Sequence, residues 1–279
     1  MQDLIIKKIY IDKKVRNKRL TKVILGRFPD IPAETFNAPS PIYNDLVEKH
    51  VDPFLEGKKV LVLSGFKGDF LKKCPGTKGF ICCNYYVLNL TTNCPLDCTY
   101  CILQEYLKNN PVLKIFVNIK DALKQVEKIH RESKNALIRI GTGELTDSLA
   151  LDHITGFSEI LIPFFEEKKN LFLELKTKTN RIENLLKYRG INNTIIAWSL
   201  NPQSIINEEE FYSLYEMGNC YKELNDNNNM VKFWLGAWHK RPSRIESLYE
   251  FICFLRSIKR MDLYKQFYTI AKNVPFPEK

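Results

Sequence analysis

Three cysteines fall within eight residues of the stretch NCPLDCTYCILQEYL (93–107): Cys94, Cys98 and Cys101, spaced C-x3-C-x2-C. Thiolates are soft donors that suit iron–sulfur clusters and zinc. A closed structural zinc site or a ferredoxin-type cluster takes four protein ligands. Three local ligands on a cubane cluster instead leave one iron open to a small molecule. The competing reading is a zinc knuckle completed by a distant cysteine or histidine, for which Cys74, Cys82 and Cys83 are the nearest candidates. The segment KKCPGTKGFICCNYY that carries them could hold a second metal, although such cysteines are more often small buried residues. Cys220 and Cys253 stand alone.

The elements that must position this loop show a regular rhythm. YYVLNLT reads as a strand leading into the cysteines, and VLKIFVN as the next strand, with Asn118 placed to cap a helix through IKDALKQVEKIHRES. NALIRIG is a strand followed by a glycine-containing turn and a helix around DHITGFSEILIPFFEEK. LFLELKT is followed by a helix near NRIENLLKY, and NTIIAWSL by a helix after Pro202. Alternation of this length implies βα units and a parallel sheet, open or curled into a full or partial barrel. In such sheets chemistry collects at the carboxyl ends of the strands.

Upstream, residues 1–83 read as a small basic α/β unit and 84–279 as the main domain. In the first unit LIIKKIYID and KKVLVLSG are strands, KKVRNKRLTKVILGRF contains a helix, and PDIPAETFNAPSP is a proline-punctuated loop. Near the other end NDNNNM (225–230) reads as an exposed polar loop, and VKFWLGAW as the one convincing strand of the C-terminal region.

The cysteine spacing, with the aromatic Tyr100 just before the third cysteine, resembles the radical S-adenosylmethionine superfamily. That resemblance implies a 4Fe–4S cluster on Cys94, Cys98 and Cys101, with S-adenosylmethionine chelated by the open iron and cleaved to a 5′-deoxyadenosyl radical. It implies a partial (β/α)6 barrel, here shortened at the C-terminus, and an electron donor such as a ferredoxin or flavodoxin. The stretches NCPLDCTYCILQEYL, GTGELTDSLALDHITG, LELKTKTNRIENLL and IIAWSLNPQSII narrow it to the spore photoproduct lyase-like group, over residues 74–208. On that match Lys178, Ser199 and Asn201 approach the bound S-adenosylmethionine. The residue chemistry agrees: Gly141 and Gly143 let the backbone approach a ligand closely. Glu144 can accept from an ammonium group, and Lys178 can pair with a carboxylate. Ordinary surface charge is the alternative for Glu144 and Lys178, and helix capping is the expectation for Asp152 and His153.

Two departures stand out. Leu145 falls nearest the place of the group's hydrogen-donor cysteine, and Ile102 stands where a relay tyrosine is expected just after the third cluster cysteine. The radical-generating half of the pattern is present and the substrate half differs, so no catalytic residue beyond the cluster is assigned.

The composition sets bounds on partners. The chain has 279 residues, net charge +10, 44% hydrophobic and 12% aromatic content, and eight cysteines. Its start lacks a long apolar run and no apolar run of about 18 residues occurs, so a cytoplasmic protein without a membrane span is expected. Lys7, Lys8, Lys13, Lys14, Arg16, Lys18, Arg19, Lys22 and Arg27 face only Asp12 over residues 7–27. Such a stretch attracts polyanions or is a solvated lysine-rich face. The aromatic-basic segment FWLGAWHKRPSR fits a nucleic-acid surface or a core strand with Trp234 and Trp238 inward. The expected partner is nucleic acid. The alternatives are a radical enzyme on a protein or small molecule, and a non-enzymatic metal-binding module that grips nucleic acid.

Overall fold

The computed structural model describes residues 4–49, 52–74, 76, 79, 84–96, 98, 101–133, 136–199, 214, 215, 218, 219, 222, 225–240 and 246–273. Contacts divide the chain into two compact units, one of Leu4–Pro95 with Ile102–Ser199, the other of Met1–Asp3, Leu96–Cys101 and Leu200–Lys279.

The first unit is α/β. Its strands are β1 (Lys8–Asp12), β2 (Ala33–Phe36), β3 (Val60–Ser64), β4 (Leu71–Lys73), β5 (Tyr85–Leu88), β6 (Thr91–Thr92), β7 (Leu113–Phe116), β8 (Ile138–Gly141), β9 (Leu171–Thr177) and β10 (Thr194–Trp198). They form two five-stranded sheets, ordered β2-β1-β3-β7-β6 and β10-β9-β8-β5-β4. All neighbours are parallel except β4 with β5 and β6 with β7. The parallel expectation holds, and the proline-rich segment read as a loop supplies a strand instead. Ala33–Phe36 pairs with β1 because the prolines leave its own amides free for the ladder.

A boundary at residue 83 does not follow these sheets. β3 pairs with β7 across the cysteine loop, so β1–β3 share a sheet with a strand assigned to the main domain. The strand YYVLNLT is likewise split. Its first half, β5, lies in the second sheet beside β8, while Thr91–Thr92 pair antiparallel with β7 in the first.

Helices of this unit are α1 (Arg19–Gly26), α2 (Ser40–Lys49), α3 (Pro53–Gly57), α4 (Leu103–Tyr106), α5 (Ile119–Glu132), α6 (Asp152–Thr155) and α7 (Phe157–Glu166). One apolar core joins the inward strand residues, such as Ile9, Ile11, Leu63, Ile115, Ile140 and Leu173, to Ile24, Val126, Leu161 and Phe165 of the helices. A separate cluster of Val62, Val112, Ile42 and Leu46 lies on the other face of the first sheet, under α2. Residues 183–187 form turns, where the sequence suggested a helix. The helix through DHITGFSEILIPFFEEK breaks at Gly156, whose φ of 62° is left-handed and ends α6.

Asn118 sits at the start of α5 without bonding its amides. Its side chain instead accepts from the Phe66 N–H and donates to the Phe66 carbonyl, tying α5 to the segment after β3.

In the second unit the described residues form α8 (Asn227–Lys240), α9 (Glu246–Ser257) and α10 (Met261–Asn273). The expected strand VKFWLGAW and most of the expected loop NDNNNM are both inside α8. Asp226 starts the helix by accepting from the Asn229 N–H at 3.1 Å. Phe233, Trp234 and Ala237 then bury on one side, a helical spacing that the apolar run concealed. Trp234 donates its indole N–H to Asn219, so its ring is packed rather than offered for stacking.

Candidate active site

The carboxyl ends of four parallel strands are laced together by hydrogen bonds. After β5, the Asn89 amide donates to the Glu144 carboxylate at 2.8 Å, joining the end of β5 to the turn after β8. Glu144 is otherwise exposed, and Asn89 is buried. The same turn is fastened to β9 by Asp147. Its carboxylate accepts from the Lys178 N–H at 2.6 Å, the Thr177 hydroxyl at 2.8 Å and the N–H groups of Leu149 and Ala150 at 2.9 Å each. Burial raises the Asp147 pKa above the ordinary carboxylate value despite those four donors. Ser148 adds a reciprocal pair of bonds with the Lys176 backbone.

From β9 the lacing continues to β10. The Lys178 ammonium donates to the Ser199 carbonyl at 3.0 Å, and the Ser199 N–H donates to the Thr177 carbonyl at 2.8 Å. Lys178 and Ser199, both singled out in the sequence, are thus in contact, and Glu144 lies on the turn that Asp147 secures to them. Tyr100 and Asn201 lie outside the described residues.

Gly141 and Gly143 differ in what they accommodate. A Cβ on Gly141 would stand 1.8 Å from the Tyr85 hydroxyl, so the space expected for a ligand is filled by that ring. A Cβ on Gly143 would come no closer than 3.2 Å to any neighbour. Tyr85 donates to Glu174 at 2.8 Å, and Arg139 and Lys176 reach the same carboxylate at 3.3 and 3.1 Å. Burial first, then the Glu174 bond, pushes the Tyr85 phenol pKa up. This polar group was missed in the sequence, although the alternation in LFLELKT puts Glu174 and Lys176 on one face. Asp147 was missed as well; its signal was an Asp two residues before Leu149, the spacing of a side chain that bonds its own turn.

Asp152 meets the capping expectation at one remove. It belongs to α6 but accepts from the Ser158 N–H at 2.8 Å and the Ser158 hydroxyl at 2.6 Å, securing the start of α7. Asn184 donates to the same carboxylate. The His153 ring makes no cap, and its buried Nδ1 has no hydrogen-bond partner among the described residues.

The cysteine loop leaves β6 through Asn93, which adopts a left-handed φ of 65°. The Asn93 side chain donates to the Pro111 carbonyl and accepts from the Cys94 N–H, so the loop is held where it starts. The Cys101 N–H then donates to the Cys98 carbonyl at 3.1 Å. None of the three cysteines is in a disulfide; Cys94 and Cys98 are buried and Cys101 is half-buried. Among the described residues no three His, Cys, Asp or Glu side chains are gathered as a metal-binding group. Cys74 is free and half-buried, and Cys82, Cys83 and Cys220 lie outside the described residues. Cysteine thiolates are the soft donors that iron–sulfur clusters and zinc both take. Of the two departures, Leu145 is half-buried and Ile102 is 74% exposed beside Cys101.

A model of the spore photoproduct lyase family matches residues 39–216, more than half of the chain. The chain belongs to the spore photoproduct lyase family. The match contains the cysteine loop, the Asp147 turn and the Lys178–Ser199 contact, and it begins further toward the N-terminus than residue 74. The spore photoproduct lyase of a Geobacillus species is 28% identical over 125 residues, 45% of this chain and 37% of that protein. That of Bacillus subtilis is 22% identical over 205 residues, 72% of this chain and 58% of that protein. The chain therefore spans less than two thirds of these curated relatives. Solved spore photoproduct lyase structures share the fold. A variant with AdoMet and a dinucleoside spore photoproduct bound gives a TM-score of 0.66 at 20% identity, covering 83% of this chain and 66% of that one. A second variant gives 0.66 at 18% identity, covering 93% and 75%.

Proposed function

We propose that this chain is a radical S-adenosylmethionine enzyme of the spore photoproduct lyase type, acting on nucleic acid. The observation that carries the proposal is the C-x3-C-x2-C loop inside the family match, entered from the end of β6. On this reading Cys94, Cys98 and Cys101 hold a 4Fe–4S cluster, which supplies the electron that cleaves S-adenosylmethionine to a 5′-deoxyadenosyl radical. Glu144, Lys178, Ser199, Asn201 and Tyr100 bind the cosubstrate.

The chain's own residues prepare that role. Lys178 offers a cation held at the end of β9, with its backbone fixed by Asp147 and its ammonium against Ser199. A preset cation of this kind suits a carboxylate. Glu144, held by Asn89, offers an acceptor to an ammonium group. The curved sheets of a partial (β/α)6 barrel would bring these strand ends around one ligand, and the likeness to solved lyase folds supports that arrangement.

Nucleic acid is the favoured partner because Lys13, Lys14, Arg16, Lys18, Arg19, Lys22 and Arg27 are all exposed between the end of β1 and the end of α1. A solved spore photoproduct lyase of similar fold has a dinucleoside spore photoproduct bound. A ferredoxin or flavodoxin supplies the electron in the cytoplasm; among the described residues no helix is long and apolar enough to cross a membrane. Leu145 and Ile102 offer neither a thiol nor a phenol, so the substrate radical is not quenched through those two positions. The deciding experiment is anaerobic reconstitution with iron and sulfide, followed by dithionite and S-adenosylmethionine. Formation of 5′-deoxyadenosine supports the assignment; a colourless protein with stoichiometric zinc overturns it.

A further inference from the structure

We propose that Lys114, Tyr43 and Thr92 form a binding site for a phosphate group, on the face of the first sheet that α2 covers. The inference rests on three donors on one face of the first sheet that find no hydrogen-bond acceptor among the described residues. Lys114, in β7, is half-buried, and its ammonium lies 4.9 Å from the centre of the Tyr43 ring. Among the described residues no carboxylate pairs with it. The Tyr43 hydroxyl is buried and has no hydrogen-bond partner among the described residues. Thr92 is only 9% exposed, and its hydroxyl is buried with no partner among the described residues. Thr92 is the direct cross-strand neighbour of Lys114 in the antiparallel β6–β7 pair. Direct cross-strand neighbours project their side chains to the same face of a sheet.

The chemistry of the missing partner follows from what is present. An ammonium has three donors and no acceptor, and each hydroxyl has a proton to give. Buried polar groups are ordinarily satisfied, so an unsatisfied set calls for an explanation. A metal ion is excluded by the cation already in place. A group with negative charge and several oxygens completes the set, and phosphate offers more oxygens than a carboxylate to donors arriving from three side chains. Lysine is a common point-charge partner of phosphate. Burial alone lowers the Lys114 pKa to about 8, and a bound anion would reverse that shift.

The other described charges on this face do not supply the partner. Lys8 of β1 and Glu34 of β2 pair with each other at 2.9 Å, with Lys8 also over the Tyr10 ring. Asp45 and Glu48 of α2 are exposed. The place is also informative. Thr92 is two residues ahead of Cys94, so the phosphate would sit at the base of the cysteine loop. Its source is either the backbone of a nucleic acid or a free phosphate, and the site itself does not depend on the radical assignment.

Competitive acetylation tests the proposal on the full chain. Acetic anhydride is applied at constant ionic strength, and modification of each lysine is read by mass spectrometry. The arms are chloride alone, inorganic phosphate, a thymidine dinucleotide with one internucleotide phosphate, and the same dinucleoside with a phosphate-free linkage. We expect phosphate to slow modification of Lys114 by about tenfold while exposed Lys120 is unchanged. Protection by the dinucleotide but not by its phosphate-free analogue assigns the source to a nucleic-acid backbone. Protection by inorganic phosphate alone assigns it to a free ion. Tyr43→Phe and Thr92→Val should each reduce the protection by about threefold. Equal modification of Lys114 in all four arms, or undiminished protection in the Tyr43→Phe, Thr92→Val double variant, overturns the proposal.

Discussion

The Asp147 carboxylate accepts the backbone N–H of Lys178 at 2.6 Å, so the turn after β8 sets where the lysine at the end of β9 begins. Removing the two partners should therefore have opposite signatures. Asp147→Ala strands three backbone N–H groups and the Thr177 hydroxyl, at a cost of about 2–4 kcal/mol in denaturant unfolding. Lys178→Ala should leave stability within about 1 kcal/mol. It should weaken S-adenosylmethionine binding by on the order of 2–5 kcal/mol, with the iron content unchanged. Unaltered affinity in calorimetry would remove Lys178 from the cosubstrate pocket.

Gly141 and Tyr85 should be coupled. A methyl group on Gly141 would stand 1.8 Å from the Tyr85 hydroxyl and 2.7 Å from the ring carbon that bears it. Gly141→Ala should cost about 1–3 kcal/mol, as overpacking does. Adding Tyr85→Phe removes the nearest atom and should recover part of that loss. Strict additivity of the two substitutions in a double-mutant cycle would show that the contact is not the reason for the glycine.

His153 gives the fold an acid-sensitive side. Burial, then the positive charge of Arg181, lowers its pKa to about 4. Its unfolded value is about 6.5, so between these two values the unfolded chain binds more protons and stability falls as the pH falls. The loss between pH 7 and 4 should be at most about 2 kcal/mol, given the ring's remaining exposure. His153→Gln should flatten that part of the profile in urea titrations. An unchanged slope in the variant would assign the acid sensitivity to other groups.

The basic segment around α1 makes a prediction for DNA binding. With about five phosphate contacts from Lys13, Lys14, Arg16, Lys18 and Arg19, log K against log salt should have a slope of about −3.5 to −4.5. A flat response in fluorescence anisotropy would leave this surface as solvated charge.

Spore photoproduct itself should be a poor substrate by the cysteine–tyrosine route. A thiol S–H is weak enough to quench a carbon radical quickly, whereas the C–H bonds of Leu145 and Ile102 are stronger. Reconstituted enzyme with a dinucleotide photoproduct should form 5′-deoxyadenosine with little repair. Clean multiple turnover, undisturbed by Cys82→Ala and Cys83→Ala, would contradict this expectation.

Much of this architecture was legible because period-two alternation and short β-rich runs mark strands directly. The strands at 113–116, 138–141, 171–177 and 194–198 follow from that signal. The C-terminal region was misread because VKFWLGAW is apolar on nearly every side, and a short run of that kind does not distinguish a strand from a helix. Ala33–Phe36 was hidden by flanking prolines, which suit a strand at a sheet edge as well as a loop. At the site, charged residues at strand ends could be picked out singly. The pairing of Lys178 with Ser199 and the role of Asp147 depended on how two strands and a turn meet, which spacing does not encode.

The division of one strand between two sheets also makes the chain a ruler. Tyr85–Leu88 keeps register with β8 and β4, Thr91–Thr92 keeps register with β7, and only Asn89 and Leu90 lie between them. Both are buried, with the Asn89 N–H on the Phe70 carbonyl and the Leu90 carbonyl on the Phe116 N–H. A residue added or removed there would force one of the two ladders to slip, and a one-residue slip turns every side chain to the opposite face. Length between Leu88 and Thr91 is thus constrained more tightly than residue identity, and tolerance of insertions should be concentrated elsewhere in the chain.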